Sequence, residues 1–208
     1  MNLQSRHGLQ TLPADGRTDG GRARERILLA ARELVAAGGY RNAPVTAVAA
    51  QAGVSTGLIY RHFPSKAELF VEVLSAAVEH EVQILEGIAA GSESAPQRLR
   101  LAITAFVRRA LAGPGLAHAF IVEPVDPEVE AERMRGRRRF GDVFRRLVED
   151  GIASGAFPAQ DVDVTAACIV GAFTEALVGP TAPSRQAHRD EHALADSISA
   201  FCLRAAGG

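Results

Sequence analysis

Gly53 separates two short apolar-periodic segments, and this spacing constrains the fold more than any other feature of the chain. Residues 45–52 and 55–63 each have the length of about two helical turns. Pro64 stops the second segment, and Ser65 starts a third. Two helices joined by three or four residues around a glycine form a helix-turn-helix, whose second helix is shaped to enter a DNA major groove. The residue types agree with that geometry. Val48, Ala49 and Ala52 give the first helix a face of small and branched groups that a second helix can cross closely. Gly53 stands where the chain leaves that helix with positive φ. Val54 fills the corner, Ser55 caps the second helix, and Ile59 and Phe63, four apart, turn inward. Ser55, Thr56, Gly57, Tyr60 and His62 remain toward the front and flanks. They are small or polar and include no acid, which suits an approach to phosphates. Pro64 forbids continuation, and Ser65 with Glu68 spells a capping box.

At these residues the chain resembles the TetR family of bacterial transcriptional repressors. The pattern A-x-x-A-G-V-S-x-G-x-x-Y-x-H-F-x-S-K-x-x-L runs from Ala49 to Leu69, and the resemblance begins upstream in ARERILLAARELVAAGGYRNAPV. It covers about the first third of the chain. It implies that Tyr60, His62 and Lys66 hold phosphates, with Ser55–His62 in the groove, and that Thr46, Thr56, Gly57 and Leu58 face bases. Lys66, the only lysine of the sequence, stands at the family's phosphate-contact position. Two departures limit the carry-over. Ala43, Pro44 and Val45 occupy positions where the family has threonines, so Asn42 is expected to cap and Thr46 to take over a contact. Leu58 replaces a commoner threonine, so base preferences do not transfer.

Charge divides the chain in the same place. Net charge is −1, yet residues 1–66 carry nine basic and four acidic side chains, a balance of +5, and the remainder is −6. A basic head on an acidic body fits a polyanion partner for the head alone. Nearly half of the residues are apolar, so a globular chain is expected. No signal-peptide pattern opens it, and no uninterrupted apolar stretch reaches membrane-span length. A cytoplasmic protein without membrane contact is therefore expected.

The fold class read from this is all-α, with about nine helices. A polar tail, 1–21, precedes a three-helix head, 22–66, that carries the helix-turn-helix. A helical ligand-binding and dimerisation domain, 67–208, follows. The helices expected are 22–37, 45–52, 55–63, 65–90, 96–111, 116–123, 126–154, 162–178 and 188–204. The segment 162–178 is apolar on nearly every side, which predicts burial all round. With the last helix it resembles the family's dimer interface, two chains making a four-helix bundle. Ile169, Leu177, Leu194, Ile198 and Phe201 are its expected contacts, and an inverted-repeat operator follows from the two-fold.

The family body resembles a cage around an apolar or amphipathic effector. Candidate lining residues are Phe106, Ala110, His118, Phe120, Glu123, Phe144, Phe173 and Thr174, aromatic side chains with a few polar groups for orientation. Cys168 and Cys202 lie in apolar runs and read as buried, reduced thiols. His188 and His192 read as solvated rather than metal-binding, and Arg137–Arg139 and Arg145–Arg146 as salt-bridged or solvated surface. No nucleotide-binding, zinc or hydrolase motif is present, so no cofactor, metal or catalysis is expected. The sequence-level reading is a homodimeric repressor released from DNA by a small molecule. An activator or a regulator without effector stands second, and a helical carrier or enzyme third.

Overall fold

The computed structural model describes residues 19–182 and 190–207, and the tail 1–18 and His188 lie outside them. Nine α-helices occupy the described residues: α1 Asp19–Gly38, α2 Val45–Ala52, α3 Thr56–His62, α4 Lys66–Ala89, α5 Ala95–Ala112, α6 Pro114–Ile121, α7 Pro127–Ala153, α8 Val162–Thr181 and α9 Glu191–Ala205. Helices α1 to α3 with the start of α4 form the head. The long α4 runs on into the body, packing along α7, while α8 and α9 close against α5 and α7. One continuous apolar core links the two parts, from Ile27 and Phe63 through Phe70 and Leu85 to Phe144 and Leu177.

Local signals account for most boundaries. Gly53 has φ 65° and ψ 42°, the left-handed conformation that ends α2. Ser55 Oγ accepts from the Leu58 N–H at 3.2 Å, and Ser65 Oγ from the Glu68 N–H at 3.1 Å, capping α3 and α4. Asp161 and Asp190 cap α8 and α9 in the same way.

Four expectations differ. Residues 19–21 are helical, so α1 begins three residues before the expected start at residue 22. Asn42 does not cap α2. Its side-chain N–H donates to the Gly38 carbonyl at 2.7 Å and closes α1 instead, while Pro44 is the residue before α2. Helix α8 passes Gly179 and Pro180, since a proline in the last turn removes only one helical bond. The Thr181 hydroxyl donates to the Leu177 carbonyl at 2.7 Å in that turn. Finally, α8 is not buried all round. One face packs in the body, and Val164, Ala167, Cys168, Gly171 and Glu175 form an exposed strip on the other. Its length and composition alone would let α8 cross a membrane. Yet Ile169, Phe173 and Leu177 lie fully inside the protomer, which accounts for much of that apolarity without lipid.

The head is seated on the body by a close approach of α1 and α6. A Cβ on Gly115 would collide with the Ala36 backbone oxygen. Neither group can rotate away, so Gly115→Ala is expected to cost about 1–3 kcal/mol, the range for overpacking. At this chain length that is about 2–4 °C of Tm per kcal/mol, readable by calorimetry. An unchanged Tm would mean that α1 and α6 do not need this contact.

Candidate nucleic-acid interface and effector cavity

The outer face of α2 and α3 carries Thr46, Ser55, Thr56, Gly57 and Tyr60, all exposed, with Leu58 half-buried beside them. Tyr60 is 52 % exposed, unusual for a large ring, and Arg61 adds charge beside it. Ile59 and Phe63 lie behind, each 1 % exposed, so the helix is held by its back and presents its front. His62 is half-buried, its ring tilted on Phe63, and its Nε2 is enclosed without a partner. Its inner edge thus faces the protein.

Lys66 is more deeply engaged than its position suggests. Its Nζ donates to the Tyr40 carbonyl at 3.0 Å and stands 4.1 Å from the centre of the Tyr40 ring. Desolvation lowers its pKa, opposed by the charges of Asp126 and Glu123. An ammonium has three donors, so two remain for another acceptor. Tyr40 packs edge-on against Phe70 and donates its hydroxyl to Asp126. Burial first, and then that bond, push its phenol pKa up.

Glu123 is placed where the head meets the body. Its carboxylate accepts from the Tyr40 N–H at 2.8 Å and the Arg41 N–H at 3.2 Å. The turn leaving α1 is shaped for this. Gly39 has φ 81°, and a Cβ there would lie 2.7 Å from the carboxylate. Glu123 therefore ties the head to the α6–α7 loop and is not among the residues that line the cavity below.

That cavity, about 680 Å³, lies between α1, α4, α5, α6 and α7 and reaches Thr174 of α8. Of the expected lining residues, Phe106, Ala110, Phe120 and Thr174 border it. Phe144 and Phe173 do not. They are fully buried in the core behind, where Phe173 packs on Phe106 at 4.6 Å between ring centres. His118 also faces elsewhere, its Nδ1 enclosed without a partner. The apolar lining adds Leu28 and Leu29 of α1, with Val73, Leu74, Ala77 and Val78 of α4.

The polar lining differs from the sequence expectation. It consists of Arg32, His80, Glu81, Arg109, Arg133 and Arg137. Arg109 is paired with Glu81 through bonds of 2.8–3.0 Å. Arg137, expected as surface, borders the cavity, whereas Arg139 pairs with Glu79 and Arg146 with Glu86 on the outside. Arginines scattered through an amphipathic helix look like solvated surface. The carbonyls of Ala119, Ile121 and Glu123, at the end of α6 and in the loop after it, hold Arg133 and Arg137 inward.

The expected interface residues mostly serve the protomer itself. Ile169 and Leu177 are almost fully enclosed, and Leu194 and Ile198 are each 7 % exposed. They fill the seam among α5, α8 and α9, because a helix that is apolar all round offers its larger side chains to its own core. Phe201 alone stands out, 55 % exposed, with Val164 at 57 % on α8. Cys168 is exposed on the same strip, contrary to expectation, while burial pushes the Cys202 thiol up to about 11. Among the described residues, no group of three His, Cys, Asp or Glu side chains could hold a metal.

Two family models match the chain. Residues 27–73 fit the bacterial regulatory proteins of the tetR family, and residues 92–177 the tetracyclin repressor-like C-terminal domain. The chain belongs to the TetR family. It thus carries both parts of that family, the helix-turn-helix head of the regulatory proteins and the repressor-like C-terminal domain. Among curated relatives, it is 36 % identical over 110 residues to the transcriptional activator FasR of Mycolicibacterium smegmatis, covering 50 % of each chain. It is 29 % identical over 132 residues to the repressor KstR of the same organism, covering 62 % of this chain and 64 % of that one. The TetR-family chain thus spans between half and two thirds of the length of these relatives. In fold it is similar to FadR of Bacillus subtilis, solved with stearoyl-CoA, at TM-score 0.76, 22 % identity and coverage of 87 % and 98 %. RolR, solved with resorcinol, gives TM-score 0.68 at 22 % identity and coverage of 90 % and 89 %.

Proposed function

We propose that this protein is a homodimeric, cytoplasmic repressor that binds an inverted-repeat operator and leaves it when an apolar or amphipathic small molecule enters the cavity. The observation that carries the reading is the composition of the cavity wall. Leu28, Leu29 and Arg32 come from α1 of the head, the rest from the body, and α4 runs through both. An occupant therefore touches the element that positions the DNA-reading helix. Coupling needs only that the molecule bind the DNA-free arrangement better than the DNA-bound one. The volume lies within the range of about 300–1,000 Å³ typical of small-molecule sites.

On DNA, Tyr60 and Lys66 hold phosphates, His62 flanks them, and Thr46, Ser55, Thr56, Gly57 and Leu58 face the groove. Footprinting on the promoter of the protein's own or a neighbouring gene supplies the operator. On that DNA, Lys66→Gln is expected to weaken binding to all sequences alike and to reduce the salt slope by about one unit. Thr56→Ala is expected to change sequence preference instead. Unchanged affinity and slope for Lys66→Gln would remove Lys66 from the interface. A second reading, activation, is favoured by the similarity to FasR. In vitro transcription from the footprinted promoter separates the two by its sign.

A further inference from the structure

The cavity carries more positive charge than a purely apolar ligand needs. Among the described residues Glu81 is the only acid on its wall, and Arg109 already engages both of its oxygens. Arg32, Arg133 and Arg137 are left without a carboxylate on the wall. Arg133 is the informative one, because it is 92 % enclosed, with 8 % of its side chain exposed. It pairs with Glu130 outside the cavity, and its Nη2 donates to the carbonyls of Ala119 at 3.1 Å and Glu123 at 2.7 Å. Its Nε is buried and has no acceptor. A guanidinium is a fork of five donors, and an unmet donor in a dry site is costly. Arg137, one turn further along α7, donates to the Ile121 carbonyl at 3.3 Å. Burial lowers the pKa of Arg133, and the like charge of Arg137 lowers it further, against Glu130 and Glu123. An anion between the two would relieve the repulsion and supply the carboxylate or phosphate partner that the wall lacks.

We propose that the cavity is built for an amphiphile bearing an acidic group, a carboxylate or a phosphate, which lies between the guanidinium groups of Arg133 and Arg137. This rests on the effector reading above and names the chemical class of the effector. The apolar part lies among Val78, Phe106, Phe120 and Phe140. A neutral molecule of the same shape fills the apolar space and leaves the like charges of Arg133 and Arg137 without an anion between them, so selection falls on the acid.

Matched probes test this on the full-length protein by titration calorimetry at neutral pH: decanoate, decyl phosphate and 1-decanol. A charge-assisted bond in an enclosed site corresponds to on the order of tenfold or more in affinity. One or both acids should therefore bind tighter than the alcohol by that factor, and the better of them identifies the group. In Arg133→Met the preference should vanish while 1-decanol still binds. Because Arg133 also holds two carbonyls, Arg137→Gln provides a second variant, in which the preference should shrink. The wild-type comparison stands without either. Equal binding of acid and alcohol would overturn the acidic class and leave a neutral effector in place. No binding of any probe would overturn this proposal, and intact operator release by an unrelated extract component would show that the regulatory reading survives it. An acid preference that persists in folded Arg133→Met would overturn the assignment to Arg133.

Discussion

A Phe201→Asp variant is expected to sediment as a monomer and to bind operator roughly 10²- to 10⁴-fold more weakly than wild type, the factor that a second linked site contributes. The strip formed by Val164, Ala167, Cys168 and Gly171 on α8 and by Ala193, Ser197 and Phe201 on α9 is the reason. Two exposed large apolar side chains stand among small residues, and small residues let helices of a second copy approach closely. A two-fold pairing of α8 and α9 would bury that strip and set two heads side by side. Phe201 already faces solvent in the protomer, so an aspartate there should leave the helical circular dichroism and Tm of the separated chain intact. A charge at Ile198 would be a poor test. That side chain lies in the protomer's own core, and its loss would unfold the chain rather than divide a dimer. A Phe201→Asp protein that stays dimeric would place the interface elsewhere.

The contrast between Phe201 and Ile198 shows where sequence was legible. Periodicity finds the helices and says which are apolar. It cannot divide an all-round apolar helix between its own core and a partner, because both uses select the same residues. The head was read nearly residue by residue, since Gly53, Ser55 and Ser65 act through local backbone chemistry that needs no tertiary information. Asn42 was misplaced because two helix ends lie within its reach, and only the fold decides between them. The cavity was legible as aromatic side chains in the body. Its arginines were not, because Arg133 and Arg137 look like solvent-facing charges until α6 and the loop after it cover them. The contribution of α1 to its wall was equally hidden, being a contact between segments far apart in sequence.

Glu123→Ala is expected to leave ligand affinity in the absence of DNA unchanged while abolishing most of the coupling between ligand and operator. The residue joins two networks. Its carboxylate holds the Tyr40 and Arg41 backbone N–H groups of the head, and its carbonyl accepts from Arg133 on the cavity wall. Tyr40 in turn supports Lys66, through the carbonyl and the ring face. A molecule that draws Arg133 into the cavity thus pulls on the loop that grips the head, next to a residue proposed to hold phosphate. In the wild type the reciprocal effect of ligand on operator affinity should fall in the usual range of about five- to 150-fold. In Glu123→Ala the factor should fall well below that range, because the bond from the Tyr40 hydroxyl to Asp126 is then the main polar tie left between the head and the α6–α7 loop. The measurement is ligand affinity with and without operator, for wild type and variant, using whichever decyl probe binds. Coupling in the variant equal to that of wild type would assign transmission to α4 and to the contact of Gly115 with Ala36, and leave Glu123 as a structural tie alone.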